Sequence, residues 1–77
     1  MASSLEKVLA FHMSRLKDKR PDVQLNAIIE LEAMGANAED AMPALRECFL
    51  NASDDQVKAA AQRAGLAIYK AVKDAQQ

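Results

Sequence analysis

Apolar residues recur along the chain at the 3.6-residue period of an α-helix in four separate runs. Leu5, Val8, Leu9, His12 and Leu16 share one face of the first run. In the second, Val23, Ala27, Leu31 and Met34 form one stripe, while Leu25, Ile28 and Ile29 fall on the other side. A helix apolar on two sides is expected to be sandwiched between neighbours rather than laid on a surface. Met42, Leu45 and Phe49 make the third stripe, and Val57, Ala61, Ala64, Ile68 and Val72 the fourth.

Punctuation between the runs sets the expected boundaries. Ser3 and Glu6 have the spacing of a capping box, in which a hydroxyl and a carboxylate satisfy the free N–H groups of a helix start. Pro21 suits a first turn, where its missing N–H costs nothing. Gly35 supplies a left-handed stop, and Asn37, with Asp40 three residues on, is the expected cap of the third helix. Pro43 falls near that helix's beginning and predicts a slight kink. Ser53 and Gln56 repeat the capping-box spacing before the fourth. Helices are therefore expected over about 4–17, 21–34, 38–50 and 54–73. With two Gly and two Pro in 77 residues, an all-α chain in one domain follows.

The second and fourth runs superpose. Leu16, Val23, Ala27 and Met34 recur as Leu50, Val57, Ala61 and Ile68, each displaced by 34 positions. Periods of this size mark stacked helical repeats. The Trp, Leu-Gly and Tyr anchors of tetratricopeptide repeats are missing, and so is the ankyrin Thr-Pro-Leu-His signature. From Asp22, Val23, Ala27, Leu31 and Gly35, through Pro43, Ala44, Leu45 and Leu50, to Asp55, Val57 and Ala61, the chain resembles bacterial HEAT-like repeats. That resemblance covers residues 16–70 and implies a four-helix, right-handed α-solenoid of about two repeats. Gly65 departs from the pattern, which expects a leucine there; the departure loosens the last helix or leaves room for a partner's side chain.

Composition narrows the function. Aromatics are 4% of residues, so the core is built from Ala, Leu, Ile, Val and Met. A single Cys and a single His leave no disulfide, no cysteine metal site and no ligand cluster of the usual spacing. As a core histidine or a small buried thiol, His12 and Cys48 need no chemical role. No glycine-rich phosphate loop, nucleophile elbow or paired-carboxylate constellation is present, so neither catalysis, a cofactor nor a small-molecule substrate is expected. No apolar run reaches membrane-spanning length, and the N-terminus lacks the pattern of a secretory signal. A cytoplasmic protein is expected, with peripheral membrane contact through a partner.

Charge is unevenly placed. The net −1 divides into +3 over residues 1–20, −7 over 21–55 and +3 over 56–77. About three repeats are usually needed for a stable solenoid, so a chain of two is expected to complete its core against another protein. The outer faces of the first and last helices are the candidates. They combine Phe11 with Arg15, Lys17 and Arg20, and Leu66 with Arg63, Lys70 and Lys73. The leading expectation is a noncatalytic protein-binding module, a small accessory or scaffold subunit of a larger complex. HEAT-like repeats also occur in phycobilin lyases and photosynthetic accessory proteins, so the resemblance extends to pigment–protein assemblies, although those lyases are much longer. A nucleic-acid-binding module using the basic ends is the alternative; the acidic middle would repel phosphates.

Overall fold

Residues 3–76 are described by the computed structural model, which forms helices α1 (Ser4–Leu16), α2 (Pro21–Met34), α3 (Met42–Asn51) and α4 (Asp55–Ala75). A 3₁₀ helix, Gly35–Ala41, lies between α2 and α3. Ser3 caps α1, its hydroxyl accepting the Glu6 N–H at 3.1 Å. Pro21 opens α2 as expected. The turn before it is tied by Asp18, whose carboxylate accepts from the Arg20 backbone at 2.9 Å and from its guanidinium twice at 3.0 Å. Gln24 then donates to the Leu16 carbonyl at 3.2 Å, so α2 satisfies a free carbonyl at the end of α1.

Three boundaries differ from the expectation. Gly35 ends α2 at φ 59°, ψ −133°. This is the mirror image of extended backbone rather than the left-handed helical region, and glycine alone enters it freely. Asn37 caps nothing, because residues 35–41 wind into the 3₁₀ helix. Such a helix has three residues per turn and stacks i on i+3. Ala38 and Ala41 therefore share one face, and both are fully buried. Since α3 begins at Met42, Pro43 sits in its first turn, where no intrahelical bond is lost and no kink is needed. Asp54, not Ser53, caps α4, accepting from Gln56 N at 2.8 Å and Val57 N at 3.1 Å. A carboxylate is the stronger acceptor at the positive end of a helix.

The chain is all-α and packs as a short solenoid. α1 pairs with α2, and α3 with α4; α4 also lies against α2 and the 3₁₀ helix. The result is a slab of 36 × 29 × 16 Å. Val57, Ala61, Ala64, Ile68 and Val72 are buried together with Leu9, Leu16, Ile28, Leu31 and Leu45. Among the described residues, seven of the sixteen buried hydrophobic ones are alanine, which lets the backbones approach closely. The apolar faces of α1 and α2 are narrower than expected. Leu5 and Val8 on α1 and Ile29 on α2 are exposed, although Leu9 beside Val8 and Ile28 beside Ile29 are buried.

Candidate functional site

On α4, the residues opposite the buried stripe are not uniformly polar. Leu66 is 64% exposed and Tyr69, one turn on, is 51% exposed. Between them and α3 runs a groove of about 530 Å³. Met42, Pro43, Arg46 and Phe49 form its α3 wall, and Gln62, Gly65, Leu66 and Tyr69 its α4 wall. Gly65 makes a notch in that wall: beyond the adjacent helix backbone, a Cβ added there would meet no atom of the described residues within 4 Å. Among the described residues, Arg46 is the one formal charge lining the groove. On the rim, Lys73 lies over the Tyr69 ring at 5.4 Å from its centroid, a cation–π arrangement that holds the ammonium at the groove's edge. Lys70 is exposed beside it.

A second patch lies on α1. Phe11 is 58% exposed, its ring covered on one side by the Arg15 guanidinium at 5.3 Å and tilted against His12 at 5.4 Å. With Leu5 and Val8 it forms an apolar surface along the helix. Two clefts flank the contact of α1 with α3. Lys17 and Glu47 line both, and Asp18 and Lys19 join them in the more polar one.

The eight residues singled out from the sequence fall into separate groups. Phe11 and Arg15 lie together on α1, while Leu66, Lys70 and Lys73 lie together on α4. Lys17 is exposed at the end of α1. Arg20 and Arg63 are already engaged: Arg20 clamps Asp18 across the turn, and Arg63 meets Glu32 of α2 at 3.3 Å. The Arg20 guanidinium holds the Asp18 carboxyl down to about 2. Tyr69, Phe49 and Arg46 were missed. Tyr69 was legible, three residues after Leu66 on the face opposite Val57; the α3 wall needed the helix pairing.

The candidate reactive groups sit in the core. His12 is buried, and its Nδ1 has no hydrogen-bond partner among the described residues. Cys48 is a buried free thiol, and burial pushes its pKa up, away from the thiolate a nucleophile requires. Among the described residues, no three His, Cys, Asp or Glu side chains gather as a metal site. No helix of these residues is long and apolar enough to cross a membrane.

A family model described as HEAT repeats matches residues 3–64, which takes in α1, α2, α3 and the first half of α4. No curated protein and no solved structure matches the chain.

Proposed function

Because the chain belongs to the HEAT-repeat family, we propose that it is a noncatalytic protein-binding module, a small accessory or scaffold subunit of a larger complex. HEAT repeats generally mediate protein–protein interaction. The observation that carries the reading is the α3–α4 groove, where Leu66 and Tyr69 stand in solvent beside the Gly65 notch. Exposed aromatic and aliphatic side chains around a hollow, rimmed by cations, are the ingredients of an interface centre and its polar border. Phe11 and Arg15 on α1 offer a second contact. The 77 residues act as one HEAT-like unit in the cytoplasm, reaching any membrane through a partner. A nucleic-acid role is the weaker reading, since Arg20 and Arg63 are neutralised by Asp18 and Glu32.

Tagged wild-type chain and a Leu66→Glu variant, purified in parallel from gently solubilised source cells, test this. The wild type is expected to carry proteins at constant stoichiometry. The variant should keep its helicity and lose them. A folded, solitary wild-type chain that binds DNA or RNA with a steep salt dependence would overturn the proposal.

A further inference from the structure

Half of the groove's lining is the image, one repeat later, of a surface that the chain covers for itself. α2 begins at Pro21 and α4 at Asp55, 34 positions apart. Under that shift Leu9, His12, Ala27, Ile28 and Leu31 map onto Pro43, Arg46, Ala61, Gln62 and Gly65. The first five are all buried, and the second five all line the groove. In the first repeat this surface is closed by the 3₁₀ helix and the α3–α4 pair. In the second it is open: Pro43, Arg46 and Gln62 are exposed where Leu9, His12 and Ile28 are buried.

The replacements state what would fit. Leu31 has become Gly65, so a space the size of a side chain is left where the first repeat is filled from within. Glu32 has become Leu66 and Gly35 has become Tyr69, which moves apolar surface to the rim. His12 has become Arg46, and Lys70 and Lys73 follow on the α4 edge. A face serving as a polar end cap would not gain an exposed Leu and an exposed Tyr. Along α4 the groove runs from Ala61 to Tyr69, about 12 Å at the helical rise. That length matches roughly two turns of a single helix.

We propose that the α3–α4 groove seats an amphipathic helix of an acidic partner protein, with one bulky apolar residue in the Gly65 notch and carboxylates facing Arg46 and Lys70. The proposal rests on the protein-binding reading above and adds the chemistry of the partner. A second copy of this chain fits less well. The α1 patch of Leu5, Val8 and Phe11 is flanked by Lys7 and Arg15, which would meet cations with cations, and Ile29 on α2 and Leu50 on α3 are single exposed side chains rather than a stripe.

The probe is a fluorescein-labelled helical peptide of about 18 residues, with leucines at i, i+3, i+4 and i+7 and glutamates on the flanks. A lysine-flanked twin and a leucine-free twin accompany it. Fluorescence anisotropy with the intact chain should show binding of the glutamate peptide, at least about tenfold stronger than either twin and weakening as salt rises. Gly65→Leu fills the notch and should weaken binding about tenfold or more, as should Leu66→Glu; Phe11→Ala should change nothing. Far-UV circular dichroism confirms that each variant is folded. Equal binding of the lysine twin, indifference to Gly65→Leu, or no binding at about 1 mM peptide would each overturn the assignment. So would sedimentation of the chain alone as a stacked oligomer that Gly65→Leu disperses. If the peptide fails while the stoichiometric cellular partners persist, the groove assignment falls and the protein-binding reading stands.

Discussion

The two glycines of the chain should respond to alanine with opposite signs. Gly65 lies inside α4, away from both ends, and beyond the adjacent helix backbone a Cβ built there meets no atom of the described residues within 4 Å. Alanine removes the entropic penalty of glycine in a helix and neither gains nor loses a contact. Gly65→Ala is therefore expected to stabilise the fold by about 1 kcal/mol, raising the thermal midpoint of a domain this small by about 4–8 °C. Gly35 has φ 59°. There an added Cβ would stand 3.8 Å from the Ala71 Cβ, an ordinary contact, so the cost is backbone strain and not a clash. Gly35→Ala should destabilise by about 2 kcal/mol, the strain of holding a side chain in a region glycine alone enters freely. Urea unfolding followed by circular dichroism measures both, and unchanged m-values would show that the unfolded state is the same. Helix propensity alone cannot produce a loss at Gly65. A destabilised Gly65→Ala would mean that α3 side chains already fill the notch, and would refute the open groove. A neutral Gly35→Ala would refute the positive φ.

Other consequences follow from caps, burial and charge. His12→Leu removes a buried Nδ1 that has no partner among the described residues and should raise stability by about 1 kcal/mol; a loss in urea unfolding would show that the imidazole is hydrogen-bonded in solution. Asp54→Ala deletes the α4 cap and should cost about 1 kcal/mol, while Ser53→Ala should be nearly silent; the reverse order would restore the capping box expected from the sequence. Asp18 is held to about 2 by Arg20. Its folded pKa is lowered, so its contribution to stability is present above the ordinary carboxylate range and is lost as pH falls through about 2. Carbon-detected NMR titration of the carboxylate reads this directly, and Arg20→Gln should return it towards its ordinary range.

Helix existence was legible because tertiary packing and local pattern agree. The α4 stripe from Val57 to Val72 is buried as the 3.6-residue period requires. Caps were less legible, because adjacent residues compete for the same N–H groups. Ser53 has the textual spacing of a capping box, yet Asp54 brings a charge to the same donors. The 3₁₀ helix has a weak signature: two alanines three apart read equally well as the start of an α-helix. In the fold both alanines are fully buried on the side of the 3₁₀ helix that packs within the bundle, which α4 also contacts. Leu5 and Val8 differ for another reason: periodicity tells which side of a helix is apolar, not how much of that side a neighbour covers, and Leu9 is buried while Val8 beside it is exposed.

The candidate site was half legible for a reason that belongs to repeats. A position in a solenoid is buried or exposed according to its neighbour in the array, as much as by its own residue type. Leu16 and Leu50 are the same residue at equivalent points, yet one lies in the core and the other in solvent. Leu66 could be found because it breaks the polar side of α4. Arg46 and Phe49 could not, since in the sequence they belong to a helix whose outer neighbour is unknown. What distinguishes the second repeat is the pattern of its replacements. Where the first has Ile28, Leu31 and Glu32, the second has Gln62, Gly65 and Leu66. The side chain is withdrawn from the centre of the stacking face and apolar surface is placed at its edge. A face altered that way no longer suits another copy of the same repeat. It suits a helix that brings its own bulky residue to the Gly65 notch, which is why filling that notch from within is the sharpest test of what this end of the solenoid is for.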